Sequence, residues 1–391
     1  MLFSEKTNFF VSIMENRVGS LVVTILATIL LFGFLIFIHE LGHYLTARAC
    51  KVTVREFAIG MGPKVVTWTS KKTQIAYSLR ALPIGGFVAM EGEDEESADP
   101  NAFSKKKVWQ RMIITAAGGA MNLLLGLILT VIYISTMPGL YGTTVVSFPA
   151  GAYSDKCENA LMPGDEILSI EGKRVYTGQE IVYELFREGG KRQNQVTETD
   201  EEGKVVCTGA KFDLLVRRNG EKILLEDVLF PTYTESGYTY AMRDFFYDEQ
   251  AKTLPNFTKN VGRQMVLSVR MVYESLFDLV TGHYGLEQLS GPVGTAEVVG
   301  EAIKNDVTSE KGQSSNTFVY LAMMITVNLG LFNLLPVPAL DGGRLFFQFV
   351  ELIFRKPIPQ KYEAAIHFAG IVLLLGLMAL VTMKDIIGLF R

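Results

Sequence analysis

The run His39-Glu40-Leu41-Gly42-His43 puts two imidazoles four residues apart with a carboxylate beside the first. On a helix, residues four apart share a face, so both rings can reach one ion. Zinc takes such donors, and a catalytic zinc wants three protein ligands and a water. Glu40 is placed to take a proton from that water, whose pKa zinc lowers toward neutrality. Attack on a polarised amide carbonyl would follow, with Glu40 passing the proton to the leaving amine. The chain holds four histidines in all, two of them in this motif.

A third ligand is needed, and Asp341, His367 and His283 are the candidates by residue type. Choosing among them requires the elements that carry them. A spanning helix needs roughly 20 mostly apolar residues. Three stretches qualify outright: Leu21 to Leu45, Met112 to Ile134, and Ile366 to Val381. A fourth, Phe318 to Leu335, is apolar but carries Asn328 and Asn333 and ends at Pro336 and Pro338. Polar groups and prolines at membrane depth belong where protein or a water-filled cavity surrounds them, so this span is expected to face inward. The apolar run after Ser20 is too long for the core of a cleavable signal and is expected to remain as an anchor.

Ten Lys and Arg lie between the first two spans, in 51–111, and Arg344, Arg355, Lys356 and Lys361 lie between the last two. By the positive-inside rule both connections are cytoplasmic, and the segment from Pro138 to Asn316 is outside. The first and third spans then both run inward. Phe32 to Ile38 is apolar apart from Gly33, so the His-Glu-His run sits in the cytoplasmic half of the first span. Ionisable residues at that depth are costly and mark function by default. Asp341 arrives at the same depth from the third span. His283 lies on the outer side and fails that test, and His367, which opens the fourth span, is the weaker rival.

Hydrophobic residues make up 49% of the 391 residues and charged ones 20%, with a formal net charge of −4, which gives no reason to expect nucleic acid as a partner. Cys50, Cys157 and Cys207 form no framework; Cys157 and Cys207 fall in one segment and could pair on an oxidising side.

The outer segment turns soluble and β-rich. Runs at Thr143–Phe148, Glu166–Ile170, Phe212–Arg217 and Lys222–Val228 are separated by turn signals, with Asn219-Gly220 predicting a hairpin. Tyr176–Arg187 has helical spacing, Gly189–Gly209 reads as a polar loop, and Asn256–Val280 has an amphipathic pattern. Between the first two spans, Lys64–Thr69 and Gln74–Leu79 flank a turn and predict another hairpin, with Ala81–Val88 a further strand.

Two motifs and an insert carry a family resemblance. The histidine-glutamate motif in the first span and Asn333-Leu334-Leu335-Pro336-Val337-Pro338-Ala339-Leu340-Asp341-Gly342 in the third resemble those of the site-2 protease family of intramembrane zinc metalloproteases. Leu161-Met162-Pro163-Gly164-Asp165-Glu166-Ile167-Leu168-Ser169-Ile170-Glu171-Gly172 resembles the core of the PDZ domains of bacterial envelope proteases. The likeness is strongest to the bacterial regulator-of-sigma-factor type with one PDZ domain. Ala116-Ala117-Gly118-Gly119-Ala120-Met121-Asn122 resembles the family's second-span motif, with Gly119 where proline is usual.

The resemblance implies Zn2+ held by His39, His43 and Asp341, with Glu40 catalytic. It implies single-span membrane proteins already trimmed on the outer side as substrates, such as anti-sigma factors, or remnant signal peptides. Asn122, Asn328 and Asn333 are expected to grip the substrate backbone or to bond between helices. The expected fold is a polytopic α-helical membrane protein of about four spans with an inserted β-rich PDZ-like domain and a membrane-associated β-hairpin. Its divisions are 1–50 (first span), 51–111 (hairpin and basic loop), 112–137 (second span), 138–235 (PDZ-like), 236–316 (helical linker), 317–343 (third span), 344–363 (cytoplasmic loop) and 364–391 (fourth span). The expected location is the bacterial plasma membrane, with the active site toward the cytoplasm, lipid around the spans and a peptide ligand open to the PDZ-like domain. Two other readings compete: a membrane zincin with a glutamate as third ligand, for which only the isolated Glu351 offers itself, and a non-enzymatic scaffold.

Overall fold

The computed structural model describes residues 17–391 apart from 94, 96, 157–158, 192–195, 200–204, 236–237, 283–288, 309–315, 357 and 389–391. His283, an alternative ligand above, and Cys157, one of the two cysteines that could pair, lie outside the described residues. The chain divides into two compact units: Met1–Thr136 with Ser268–Arg391, and Met137–Leu267.

In chain order the elements are α1 (Arg17–Ala49), β1 (Val54–Thr69), β2 (Ala76–Met90), α2 (Val108–Thr136), β3 (Leu140–Ser147), β4 (Glu166–Ile170), β5 (Lys173–Arg174), α3 (Gly178–Lys191), β6 (Val196–Thr199), β7 (Val205–Arg218), β8 (Glu221–Glu235), β9 (Tyr238–Ala241), β10 (Phe246–Gln250), α4 (Leu254–Val280), α5 (Pro292–Thr308), α6 (Thr317–Leu334), α7 (Asp341–Phe354) and α8 (Gln360–Gly388). Four of them, α1, α2, α6 and α8, are long and apolar enough to cross a membrane. They coincide with the four stretches read from hydropathy. The protein is a membrane protein.

In the first unit, small residues let the spans approach closely. A side chain on Gly42 of α1 would meet the Ala117 carbonyl of α2, and one on Gly119 of α2 would meet the Gly330 carbonyl of α6. Gly126 likewise makes room for Val327. Such contacts drive association where lipid removes the hydrophobic difference between inside and outside. Leu31 and Leu35 of α1 join Val299 of α5 and Ala322 of α6 in one apolar cluster.

β1 and β2 pair antiparallel around the turn at Ser70–Gln74, and Ala58 is flanked by both Phe87 and Ser78 because the long strands bend back on themselves. Phe57 and Val88 of this sheet, and Ile75 just before β2, pack with Ala47 of α1 and Ile114 of α2. The sheet is therefore anchored at the end of α1 that carries the histidines.

α6 stops at Leu334, two residues before Pro336 and four before Pro338, whose missing N–H groups cannot continue a helix. Ala339 takes a left-handed φ of 80°. The chain then re-enters a helix at Asp341 rather than continuing as a loop, so most of the expected cytoplasmic connection is α7. Asp-Gly-Gly reads as a turn, yet it forms the first turn of a helix. Side chains on Gly342 and Gly343 would strike the backbone of Leu335 and Val337.

The second unit is built on a sheet of order β10-β3-β4-β7-β8-β9, with β5 on β4 and β6 on β7. Ile167, Ile170, Leu214, Val216 and Phe230 face a core closed by Ile181 and Leu185 of α3. Fully burying each such side chain contributes about 1.5–3 kcal/mol. The Asn219-Gly220 hairpin forms, with φ of 54° and 88°. The expected polar loop at Gly189–Gly209 instead contains β6 paired to the start of β7. Valines at 196, 205 and 206 supply the β-formers on either side of the acidic 200–202 stretch.

Candidate metal centre

His39 and His43 stand one turn apart on α1, and their Nε2 atoms are 3.3 Å from each other. Asp341, the first residue of α7, brings Oδ2 to 3.1 Å from both. Donor atoms around one tetrahedral zinc, each at about 2.0–2.1 Å from it, stand about 3.3 Å apart. The triangle has that size. Its chemistry points the same way. Nδ1 of His43 lies 2.8 Å from the Ile114 carbonyl, so the ring donates there and a neutral His43 presents a lone pair at Nε2. A lone pair, a carboxylate oxygen and a second imidazole nitrogen converging on one point is an arrangement that a cation relieves. These three residues are the one group among the described residues that could hold a metal ion.

Glu40 is 8% exposed, and its Cγ lies against Gly86 of β2, where an added Cβ would come within 2.9 Å. The sheet thus reaches the helix face that carries Glu40. On the other side, Gly118 of α2 leaves the space in which both histidine rings sit: a Cβ there would collide with Nε2 of His43 and Cε1 of His39. α7 is tied down along its polar face. Gln348 donates to Thr115 Oγ1 at 2.9 Å, Glu351 pairs with Arg111 at 2.7 Å, and Arg344 pairs with Glu93.

The remaining candidates separate. His367 accepts from the Ala339 backbone N–H at 3.1 Å through Nδ1 and stays out of the triangle. Asn122 is fully buried with its amide 3.3 Å from Nδ1 of His39. Asn328 is exposed on α6, and Asn333 is half-buried near its end. Gly118 entered the sequence reading only as part of the second-span motif, and neither it, Gly86 nor the Ile114 carbonyl was given a role at the site. A backbone carbonyl has no signature, and glycines in an apolar span read as ordinary packing.

The model of Peptidase family M50 matches residues 27–377. The chain belongs to this family. A protein of Clostridium perfringens is 34% identical over 364 residues, which is 93% of this chain and 98% of its own. The regulator of sigma-W protease RasP of Bacillus subtilis is 29% identical over 452 residues, covering 94% of this chain and 99% of its own. The zinc metalloprotease RasP of Bacillus licheniformis is 29% identical over 449 residues, with the same two coverages. This M50 peptidase is a zinc metalloendopeptidase of the site-2 protease family, and zinc is its metal. A glutamate as third ligand fits it poorly: Glu351 is already paired with Arg111.

Proposed function

We propose that this M50 peptidase hydrolyses peptide bonds in or near the transmembrane segments of single-span membrane proteins, with His39, His43 and Asp341 holding zinc and Glu40 as general base and then general acid. The observation that carries the reading is the triangle of donor atoms, 3.1, 3.1 and 3.3 Å on its sides, assembled from α1 and α7 next to a buried glutamate. Zinc bound there supplies Lewis acidity toward water and toward the scissile carbonyl. Glu40 takes the proton from the attacking water and returns it to the departing nitrogen. His43 is oriented by its bond to Ile114, and α7 holds Asp341 at the metal.

A peptide bond inside a helix is shielded by its own hydrogen bonds, so a substrate must be unwound. β2 packs on Glu40, and its outer edge beyond Phe87 and Val88 has no strand partner among the described residues. In this reading a substrate segment adds to that edge and is held extended beside the metal, with the sheet seated in the membrane surface and Asn328 and Asn333 meeting the substrate backbone. The lysines and arginines of 51–111 and of 344–361 support a cytoplasmic-side centre. The β-rich unit is then extracytoplasmic and PDZ-like, with a peptide ligand or a filtering role. RasP of Bacillus subtilis is named a regulator of sigma-W protease. Trimmed anti-sigma factors are accordingly the first substrates to try, followed by remnant signal peptides.

Incubation of purified protein with a trimmed single-span substrate tests this. Glu40→Gln should retain zinc and lose cleavage by about 10²–10⁴-fold, the range for a positioned acid–base group. Asp341→Ala should lose both zinc and cleavage. Undiminished cleavage by Glu40→Gln would reject the mechanism.

A further inference from the structure

A histidine that ligates a metal through Nε2 carries its proton on Nδ1, and an acceptor for that proton fixes both the tautomer and the ring plane. His43 has such an acceptor in the Ile114 carbonyl at 2.8 Å. His39 also points Nε2 into the triangle, 3.1 Å from Asp341 and 3.3 Å from His43. The polar group at its Nδ1 is the side-chain amide of Asn122, 3.3 Å away. With the amide nitrogen turned toward the ring, two donors face each other and the buried Oδ1 has no hydrogen-bond partner. The two ends of an amide have nearly the same shape, and the hydrogen-bond network decides which is which. A half-turn about Cβ–Cγ replaces the donor–donor contact with Nδ1–H···Oδ1 and gives the orphaned oxygen its donor.

We infer that Asn122 is a positioning residue of the metal centre: its side-chain carbonyl accepts from Nδ1–H of His39 and aims Nε2 at the metal. This inference rests on the zinc reading above. It assigns the second-span asparagine a role different from gripping substrate. Asn122 has no exposed surface, so a substrate chain does not reach it in this state. α6 also fixes its position. Gly330 packs against Cβ of Asn122, and Thr326 Oγ1 donates to its backbone carbonyl at 3.4 Å. The two histidines thus receive their orienting acceptors from one helix: a main-chain carbonyl at 114 and a side-chain carbonyl two turns later at 122.

The test is zinc affinity, measured on full-length, metal-stripped protein in detergent by competition with a chromophoric chelator. Asn122→Leu removes the acceptor at similar volume and should weaken zinc binding by about 10–100-fold, the usual cost of losing such a partner. Asn122→Asp keeps an oxygen at the same place and should stay within about threefold of wild type. The absorption bands of the Co2+-loaded Asn122→Asp protein should likewise match wild type. Wild-type zinc affinity in Asn122→Leu overturns the proposal, and so does an Asn122→Asp variant that falls as far as the leucine. If the leucine variant does not fold, Asn122→Asp decides alone: within about threefold supports the inference, and a tenfold loss rejects it. Failure of the zinc reading looks different, because wild type and Asp341→Ala would then bind zinc alike.

Discussion

Both histidine rings occupy the space that the side chain of any residue but glycine at 118 would fill. The atoms that would be struck belong to the rings of the two proposed ligands, not to the ends of flexible chains, so the rings cannot move aside and still meet Asp341. Gly118→Ala should therefore act on the metal rather than on the fold. Its helix gains the propensity of alanine over glycine, about 1 kcal/mol. Zinc per mole of purified protein should fall to a small fraction of wild type, with cleavage lost in parallel and helical content unchanged. Full zinc occupancy in Gly118→Ala would show that the rings have another way to reach the ion. The two histidines of the proposed metal site could be picked out in the sequence, because a four-residue spacing fixes a common helix face whatever surrounds it. Two of the groups around them were not. Gly118 contributes an absence of atoms, and Ile114 contributes a carbonyl that every residue has.

At the scale of elements, the connection after the broken span was misread and the spans were not. A 31-residue apolar run such as Gly19–Ala49 announces itself by composition alone. α7 is short, starts Asp-Gly-Gly and turns Phe346, Phe349 and Leu352 outward, so neither its cap nor a conventional buried stripe marks it. Its register is set instead by polar contacts to α2: Gln348 on Thr115 and Glu351 on Arg111. The Arg111 and Glu351 side chains are only 15% and 16% exposed. Removing one partner of such a pair leaves an uncompensated charge, while replacing both with apolar groups is far cheaper. Arg111→Ala should cost about 2–3 kcal/mol, somewhat below the range for a fully buried pair. Arg111→Leu combined with Glu351→Leu should recover at least half of it. Thermal unfolding in detergent, read alongside zinc content, checks this. A double variant no better than the single one would mean that the pair does more than neutralise its own burial.

For the whole molecule, the centre joins distant parts of the chain: His43 and Asp341 are 298 residues apart, and both belong to the same compact unit. The sequence of the other unit, Met137–Leu267, falls wholly between them, yet its core is its own, built from β3, β4, β7, β8 and α3. This separation was readable in advance, since alternating β-rich runs between apolar spans cannot share a core with lipid-embedded helices. What a ligand does to stability follows from which unit binds it. A metal present at about 1,000 times its dissociation constant stabilises the folded state that binds it by about 4 kcal/mol. That stabilisation acts on the unit containing α1, α2 and α7. Stripping zinc with a chelator should therefore speed amide exchange at the start of α7 and at the His39–His43 turn of α1. Amides of β4 and β7 should exchange at an unchanged rate, and re-added zinc should reverse the effect. If the sheet of the second unit loosened to the same degree, the two units would unfold as one and the metal would stabilise the whole chain, contrary to the separate cores described here.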